Sequence, residues 1–347
     1  MVKTLMNVFR NLLYCMIHRE GACTALCPLY HITPFCNLSC AYCDGFPELG
    51  LPRDKAAAGV RADAYSFQLA TNDVKRLLGI LRGSFDFLFV TGGEPLVRDD
   101  IEEILDFAGS LRFNGISINT NSVLLPEKER ILGHISNLVI SLDMLDTGRY
   151  GDIMGCGKAT AEQITRNVVR YKELEKRYGY RLTVHTVILP GGVDTAEEVL
   201  EFCLERDIAV CLSPLQMDYA AHASLRDDVR YVNLIDRLMA LKRRGAKISG
   251  SYGYYRNIRD FDPYRCIPTL IPRILPDGTI LYPCRPAGAR GGNILDFGSW
   301  EKTLEDAVRS NGRFERCDRS CRIRCYIEPS ILMNDPVSFV REFLGQI

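Results

Sequence analysis

Residues 35–43 read FCNLSCAYC, and this stretch contains three cysteines, Cys36, Cys40 and Cys43. The spacing C-x3-C-x2-C places three thiolates on one short loop, where they can surround a single metal centre. A structural zinc site normally takes four ligands, most often as two C-x2-C pairs. A [4Fe–4S] cluster held by three cysteines leaves one iron without a protein ligand. The stretch therefore indicates an iron–sulfur site with an open position, with a zinc knuckle as the alternative.

The chain around this loop alternates short β-rich runs with helical patterns. Six successive β/α units imply parallel strands joined by right-handed crossovers. Because six units are too few to close an eight-stranded barrel, we predict an α/β fold with an open partial (β/α)6 barrel. In such folds the site lies at the C-terminal ends of the strands. Predicted strands cover residues 29–33, 85–91, 115–119, 138–141, 182–189 and 208–213, and predicted helices cover 72–81, 100–110, 161–178, 195–206 and 228–244.

Polar and glycine-rich motifs stand at the ends of the predicted strands. The second strand ends in TGGEP at residues 91–95, where glycines allow a ligand to approach the backbone closely. Asn and Ser at such positions also form turns and helix caps, which is the alternative for each of them taken singly. The candidate binding residues at these strand ends are Gly92, Gly93, Glu94, Pro95, Asn119, Asn121, Ser141 and Asp143, followed by residues 185–189 on the fifth strand.

Taken together, the cysteine triad and these motifs resemble the radical S-adenosylmethionine (SAM) superfamily. The resemblance implies a [4Fe–4S] cluster on Cys36, Cys40 and Cys43, with SAM bound at its open iron. It further places Tyr42 near the adenine, Glu94 at the amino group of the methionine moiety, and residues 185–189 near the adenine. Asn119, Asn121, Ser141 and Asp143 fall where the family contacts the carboxylate and ribose.

The resemblance also implies a reaction and a partner. One electron from the cluster cleaves the SAM sulfonium, and the resulting 5′-deoxyadenosyl radical abstracts hydrogen from an organic substrate or adds to it. A flavodoxin- or ferredoxin-type protein is the implied electron donor. The cofactor carries out this chemistry, while the protein supplies orientation and excludes solvent.

A second group of cysteines lies near the C-terminus, in a segment rich in Gly, Pro and Tyr. Such a segment offers little apolar core, so a metal ligand is needed to order it. Zinc remains the alternative to iron–sulfur here. Five arginines at positions 313, 316, 319, 322 and 324 interleave these cysteines, either as a solvated basic face or as cations beside an anionic cluster. The five cysteines are Cys266, Cys284, Cys317, Cys321 and Cys325.

Beside a radical SAM core, this arrangement resembles the auxiliary-cluster extensions called twitch and SPASM domains. A full SPASM domain has seven cysteines and two auxiliary clusters, whereas five cysteines are present here. The resemblance therefore implies one auxiliary [4Fe–4S] cluster in a small, loop-rich, twitch-like domain. Which four of the five cysteines hold it stays open.

Composition sets the wider limits. The 347 residues are 47% hydrophobic and 25% charged, which is ordinary for a globular protein. The formal net charge is zero, so no global basic field favours nucleic acid. Fourteen cysteines are unusually many for a cytosolic enzyme, yet the chain is too large for a small disulfide-stabilised protein. Because residues 1–19 do not resemble an export signal, we expect a cytoplasmic protein, where free thiols persist. We expect an N-terminal helix and leader at 1–28, the core barrel at 29–245 with an irregular insertion at 46–68, and the auxiliary domain at 246–347.

Residues 1–19 have the pattern of an amphipathic helix. Polar residues at 7, 10 and 11 interrupt what would be a signal-peptide core, and no run reaches the ~18 apolar residues of a membrane span. The helix either lies on a membrane surface, as a peripheral attachment, or covers an open end of the main domain. Its apolar stripe comprises Leu5, Phe9, Leu12, Leu13 and Met16.

The substrate is the least determined feature of the sequence. The amphipathic helix and the CYIEPS segment at 325–330 are similar to the lipid-acting branch of the superfamily, such as the adenosylhopane synthases. A membrane-lipid or isoprenoid-type molecule is therefore the first candidate, ahead of another small molecule. The alternatives are a peptide-modifying enzyme, a non-catalytic iron–sulfur electron-transfer protein and a zinc-stabilised interaction module.

Overall fold

A computed structural model describes residues 2–17, 24–49, 51, 67–217, 220–314, 317, 321–335 and 342. Within the first helix, side chains are described for residues 6–13. Most of the predicted insertion, namely residues 50 and 52–66, lies outside the described residues, as do Arg316, Arg319 and the side chains of Leu5 and Met16.

A nine-stranded sheet forms the centre of the molecule, in the order β11-β10-β9-β1-β2-β3-β4-β5-β6. Neighbours from β1 to β6 all pair in parallel, which confirms the predicted open α/β barrel. A separate antiparallel pair, β7-β8, follows the last barrel strand. The strands are β1 Leu29–His31, β2 Phe87–Thr91, β3 Gly115–Thr120, β4 Asn137–Ser141, β5 Arg181–Ile188, β6 Ala209–Pro214, β7 Gln216–Met217, β8 Ala220–Ala221, β9 Arg273–Ile274, β10 Thr279–Tyr282 and β11 Ala289–Asn293.

Helices alternate with the parallel strands, as the pattern of the sequence predicts. Five of the helices, α2, α3, α5, α6 and α8, match the five predicted helices to within three residues at each end. The helices are α1 Val2–Ile17, α2 Thr71–Ser84, α3 Ile101–Ser110, α4 Thr147–Met154, α5 Lys158–Tyr178, α6 Val193–Glu205, α7 Ala223–Arg226, α8 Val229–Arg243, α9 Tyr252–Asp260, α10 Ile294–Phe297, α11 Trp300–Asn311 and α12 Arg324–Asn334.

Burial alternates along the barrel strands and shows which face carries the core. In β5, Leu182, Val184, Thr186 and Ile188 are buried, whereas the residues between them are half-buried. The same alternation runs along β2 and β4. Because side chains point to opposite sides at successive strand positions, one face packs beneath the helices and the other lines the open interior. Polar residues on that second face are therefore available for binding.

The first strand is shorter than predicted, and the reason bears on the site. Pairing in β1 ends at His31, two residues before the predicted end. Beyond it the chain binds the end of β2, since the Ile32 amide donates to the Thr91 carbonyl (2.8 Å) and the Gly93 amide donates to the Thr33 carbonyl (2.9 Å). The cysteine loop is therefore attached to the GGEP turn by backbone hydrogen bonds.

The C-terminal part continues the sheet of the barrel. β9 pairs in parallel with β1, and β10 and β11 extend the sheet in antiparallel fashion. Trp300 of α11 packs edge-on against Phe85, just before β2, with ring centroids 5.3 Å apart. The boundary predicted near residue 245 stays a prediction, and the sheet crosses it without interruption.

The N-terminal helix α1 is attached to the body of the protein. Val8 is buried in a small apolar cluster with Ile267, Leu270 and Met333, and Leu12 packs against that cluster. Asn11 is buried, and its side chain donates to the Thr24 carbonyl and accepts from the Thr24 amide, both at 2.8 Å. None of the described helices is long and apolar enough to span a membrane.

Candidate functional site

The C-terminal ends of β1 to β5 surround a cavity of about 250 Å³. Eleven of the twelve predicted cofactor residues and triad cysteines, together with His185, lie in its wall. Pro95 is the remaining one: it is buried at the start of the 3₁₀ turn Pro95–Val97, behind the lining. The predicted lining residues are Cys36, Cys40, Tyr42, Cys43, Gly92, Gly93, Glu94, Asn119, Asn121, Ser141, Asp143 and His185.

The cysteine loop is held in place by the end of α4. The Ser39 amide donates to the Met154 carbonyl (3.0 Å), and the Ala41 amide donates to the Ile153 carbonyl (2.8 Å). The last carbonyls of a helix have no partner within the helix, so they are free to accept from the loop. The loop thus presents its thiols to the cavity while its backbone is satisfied.

The GGEP turn needs glycines because the backbone of the preceding loop passes directly over them. A Cβ built on Gly92 would lie 2.5 Å from the Thr33 carbonyl oxygen, and one on Gly93 would lie 2.2 Å from the Phe35 carbonyl oxygen. Any side chain at either position would collide with the backbone. The close approach inferred from the sequence is therefore an approach of the protein's own chain, and it brings the triad and Glu94 together.

Glu94 is a buried carboxylate between β2 and β3. Its Oε1 accepts from the Leu96 amide (3.0 Å) and the Thr120 hydroxyl (2.7 Å), and its Oε2 accepts from the Asn121 amide (2.7 Å). Burial raises the pKa of Glu94 to about 7, and the three donors act in the opposite direction. Because each carboxylate oxygen can accept two hydrogen bonds, Oε2 keeps capacity for one further donor.

Tyr42 and Asp143 form the opposite wall. The Tyr42 hydroxyl donates to Oδ2 of Asp143, while Oδ1 accepts from the Val187 amide (2.7 Å). Burial raises the pKa of Asp143 to about 6, against the effect of these two hydrogen bonds. Asp143 therefore links the cysteine loop to β5 and fixes the Tyr42 ring within the cavity wall.

The two asparagines at the end of β3 differ in their contacts. Asn121 donates to Oδ1 of Asn37 (2.8 Å) and accepts from the Val123 amide (3.0 Å), so its side chain braces the cysteine loop. Asn119 has a buried Oδ1 that accepts no hydrogen bond from the described part of the chain. Leaving such an acceptor unpaired costs about 1–3 kcal/mol, which a donor group bound in the cavity would recover.

His185 on β5 belongs to a series of three hydrogen-bonded side chains. Its Nε2 lies 3.1 Å from the Ser213 hydroxyl, which lies 2.9 Å from the Tyr254 hydroxyl. Burial, followed by the charge of Arg324, lowers the pKa of His185 to about 4. His185 is therefore neutral at physiological pH and serves as a hydrogen-bonding group in the wall.

The thiols of the triad lie close enough to affect one another. Burial raises the pKa of Cys36 to about 12, with further contributions from Glu94 and Cys43. Burial, followed by the charges of Cys36 and Cys43, raises the pKa of Cys40. Three thiolates in one place are unfavourable unless a cation neutralises them, and metal coordination does so. With the unpaired Asn119 acceptor, this donor set fits a cluster with a polar ligand beside it.

The C-terminal cysteines converge in a second group, which contacts Arg273 of β9 through Cys325. Cys266, Cys284 and Cys321 are buried together with Tyr326, and Cys317 and Cys325 pack against them. The Tyr264 hydroxyl lies 3.6 Å from Sγ of Cys321. None of the described residues forms a trio of His, Cys, Asp or Glu close enough to hold a single ion. The donor set is one of soft thiols, as iron–sulfur clusters require.

The environment of Cys325 differs from that of the other four cysteines. Its Sγ accepts from Nη2 of Arg273 at 3.1 Å. Arg273 is buried, and its guanidinium lies 5.3 Å from the centre of the Tyr326 ring. Burial, followed by the charges of Cys321, Cys317 and Cys284, raises the pKa of Cys266. Cys325 still lies near the group, because its charge, like that of Cys317, adds to the effect of burial in raising the pKa of Cys321.

The interleaving arginines that the structure describes do not form one solvated face. Arg322 is buried and donates to the carbonyls of Phe261 (2.6 Å) and Asp262 (3.0 Å). Arg324 donates to the Ser249 hydroxyl (3.1 Å), whereas Arg313 is exposed. Of the three described arginines, Arg322 thus binds backbone carbonyls and Arg324 binds a side chain.

Sequence reasoning missed the residues that join the two cysteine groups. Arg285, next to Cys284, lines the barrel cavity, pairs with Glu48 and donates to the Gly45 carbonyl (2.7 Å). His31 and Phe46 also line the cavity. His31 could have been found from its place at the end of β1, but no sequence signal brings Arg285 to a loop 240 residues away.

Comparison with known proteins agrees with this geometry. Residues 30–203, half of the chain, match the family model of the radical SAM superfamily. A GTP 3′,8-cyclase from Synechocystis sp. is 27% identical over 161 residues, which cover 46% of this chain and 44% of the relative. The chain spans about half the length of most of the first curated relatives it matches. A probable GTP 3′,8-cyclase from Methanothermobacter thermautotrophicus is 24% identical, over 81% of this chain and 87% of the relative.

Among solved structures, SuiB from Streptococcus suis, bound to precursor peptide SuiA, superposes with a TM-score of 0.63 at 19% identity. The match covers 95% of this chain and 76% of SuiB. At this identity the likeness concerns the fold, and it extends over both the barrel and the C-terminal part.

Proposed function

This chain belongs to the radical SAM superfamily, and from that premise we propose that it cleaves SAM reductively to act on an organic substrate. The observation that carries the proposal is the convergence of Cys36, Cys40 and Cys43 with Glu94 and Asn119 in one cavity. An electron carrier or a zinc module needs the thiols but has no use for a polar pocket beside them.

When bound, the [4Fe–4S] cluster supplies the electron that splits SAM into methionine and a 5′-deoxyadenosyl radical. The residues of this chain hold and orient SAM. The free capacity of Glu94 Oε2 suits the amino group of the methionine moiety, and the unpaired Oδ1 of Asn119 suits a hydroxyl or amino donor. Ser141 and Asp143 also line the cavity, and the family resemblance assigns them to the carboxylate or ribose of SAM.

Tyr42 and the apolar lining limit the freedom of the bound molecule. The hydrogen bond from Tyr42 to Asp143 holds the aromatic ring against the cavity, where it can face the adenine. Leu38, Met154 and Val187 complete the wall with apolar surface. Excluding water from this space protects a reactive radical from unwanted hydrogen donors.

For the auxiliary cluster we propose Cys266, Cys284, Cys317 and Cys321 as the four ligands. The charges of the other three act on Cys266, whereas the sulfur of Cys325 accepts a hydrogen bond from Arg273. A buried guanidinium beside the group would balance part of the negative charge of a four-thiolate cluster. The electron donor proposed for the enzyme is a flavodoxin- or ferredoxin-type protein, as the family resemblance implies.

For the substrate, a membrane lipid or isoprenoid remains our first proposal. The supporting observation is that α1 exposes Met6, Phe9 and Leu13, with exposed fractions of 66%, 74% and 60%, beside the exposed Arg10. Such a face suits peripheral attachment to an anionic bilayer. A peptide substrate is the second candidate, favoured by the fold shared with SuiB in its complex with a precursor peptide.

The test is iron content and SAM turnover of anaerobically reconstituted protein. We expect about eight irons per chain, from two clusters of four, and 5′-deoxyadenosine after reduction with dithionite. Replacing Cys36, Cys40 and Cys43 with Ala should leave about four irons and abolish 5′-deoxyadenosine. Cys156→Ser, a half-buried cysteine outside both groups, is the matched control and should behave like the wild type. Protein that holds eight irons but makes no 5′-deoxyadenosine would overturn the proposal.

A further inference from the structure

One flank of the barrel cavity is not occupied by the residues proposed to hold SAM. Those residues come from the cysteine loop and from β2 to β5. The remaining flank lies at the part of the sheet where β1 pairs with β9. It is lined by His31 at the end of β1, by Phe46 beyond the cysteine loop, and by Arg285 from the C-terminal part.

The hydrogen-bonding state of His31 follows from its neighbour on β9. Nη1 of Arg273 lies 3.5 Å from Nε2 of His31, a long contact but a directed one. An arginine has only donors, so Nε2 must face it as an acceptor without a proton. A neutral imidazole with a bare Nε2 carries its proton on Nδ1. Arg273 thus selects the Nδ1–H tautomer of His31.

His31 is held neutral and in one orientation. Burial, followed by the charges of Arg273 and Arg285, lowers its pKa well below the ordinary value of 6.5. The Phe46 ring packs edge-on against the imidazole, with centroids 5.3 Å apart. Arg285, whose guanidinium lies 5.9 Å from the centre of the Phe46 ring, closes the same flank.

The Nδ1 atom of His31 has no hydrogen-bond partner among the residues that the structure describes. His31 is 7% exposed, and its Nδ1 is buried and unpaired. An unpaired buried donor costs about 1–3 kcal/mol, and native structures leave few of them without a reason. In a residue that lines a binding cavity, the simplest reason is a ligand that supplies the acceptor.

We propose that the Nδ1–H of His31 binds an oxygen atom of the organic substrate, and that Arg273 is the positioning residue that keeps the proton on Nδ1. This inference rests on the proposed function, since it gives the substrate the flank that SAM leaves free. The acceptor is a carbonyl, carboxylate or phosphate oxygen, and the two arginines near the ring favour one that carries negative charge. Specificity thereby depends on contact between the barrel and β9.

The test uses three probes that share a methyl group and differ in the acceptor: acetamide, acetate and methyl phosphate. Their binding to reconstituted, SAM-loaded protein is measured by saturation-transfer NMR on the methyl protons. Three substitutions separate the donor from the bulk of the ring. His31→Asn keeps an amide N–H near the position of Nδ1, His31→Gln places it near Nε2, and His31→Phe removes it.

We expect at least one probe to give a saturable signal with the wild type and with His31→Asn. The signal of that probe should be at least fivefold weaker with His31→Gln and with His31→Phe. The probe with the strongest signal identifies the acceptor as neutral, carboxylate or phosphate. Equal signals in all four proteins, or no saturable signal from any probe, would overturn the inference.

Arg273 is tested by rescue. Arg273→Met should weaken the His31-dependent signal, because Nε2 is then free to carry the proton. The double variant with His31→Asn should recover it, since an amide donor needs no control of tautomer. A merely structural role for Arg273 predicts no recovery, and iron content verifies that each variant keeps its clusters. If the wild-type protein cleaves SAM but probe binding does not depend on His31, this inference is wrong and the proposed function stands. If the wild-type protein does not cleave SAM, the proposed function is wrong.

Discussion

At the scale of single residues, the buried carboxylate of Glu94 couples the site to pH. Its raised pKa means that the protein without ligand keeps a proton there up to pH about 7, well above the ordinary value of 4.5. Between these values the folded state binds more protons than the unfolded chain, so this residue makes the unliganded fold less stable as pH rises. A bound amino donor reverses the preference, because it interacts best with the ionised form.

We therefore expect SAM affinity to increase as pH rises through about 7, where Glu94 ionises. Glu94→Gln should remove that dependence and weaken binding about tenfold, or about 1.4 kcal/mol. The amide of Gln would also place an N–H group next to the donors that now bind Glu94, which could destabilise the fold. The melting temperature is therefore measured together with SAM binding. Iron content should not change. A Gln variant that binds SAM as tightly as wild type, with the same pH profile, would show that Glu94 has only a structural role.

A second residue-scale prediction separates the five C-terminal cysteines. Cys325→Ser should keep about eight irons, whereas Cys317→Ser should lose or convert the auxiliary cluster and fall toward about four. Both residues are partly buried cysteines of the same group, so each is the matched control of the other. Iron analysis and electron paramagnetic resonance of the reduced proteins give the result. The opposite pattern would place Cys325 among the ligands.

At the scale of elements, α1 combines the two roles that its sequence leaves open. One side, with Val8, Leu12 and Asn11, is attached to the protein, and another side exposes Met6, Phe9 and Leu13. The predicted stripe is therefore divided: Leu12 packs inward while Phe9 and Leu13 face solvent. The structural role is established by contacts, and the membrane role stays a prediction.

Two sets of substitutions distinguish the sides of α1. Changing Met6, Phe9 and Leu13 to Ser should leave the melting temperature nearly unchanged and abolish sedimentation with anionic liposomes. Each apolar side chain buried in an interface contributes at most about 1.5–3 kcal/mol, so losing three is enough to release a peripheral protein. Val8→Ala and Asn11→Ala should instead lower the melting temperature and leave liposome binding intact. Wild-type protein that ignores liposomes would remove the support for a lipid substrate.

At the scale of the whole molecule, the C-terminal part is built into the sheet. β9 covers the edge of β1, and Arg285 reaches the loop beyond the triad through Glu48 and the Gly45 carbonyl. The barrel and the C-terminal part thus share a β-sheet, and Arg285 of the C-terminal part lines the barrel cavity.

Truncation tests this arrangement. A chain ending at residue 245 would lose β9 and expose the hydrogen-bonding edge of β1, which favours aggregation. We expect such a chain to be insoluble or to melt well below the full-length protein, although it retains all six barrel strands. Removing only residues 336–347 is the comparison, since that deletion spares α12 and the extended sheet. A soluble, cooperative 1–245 fragment that binds four irons would show that the barrel folds independently.

Much of this protein is determined by its sequence alone. The six parallel strands follow from local apolar patterns, and the helices between them from 3.6-residue periodicity, because both signals arise from neighbouring residues. The same holds for the cysteine triad and the strand-end motifs, since parallel strands must end at one edge. Tertiary structure decided the rest. It pairs β9 with β1, brings Arg285 to the cavity, places Cys325 against Arg273, and sets the tautomer of His31 through Arg273. Each of these joins residues far apart in the chain, where the free energy of a contact depends on packing and burial rather than on local pattern.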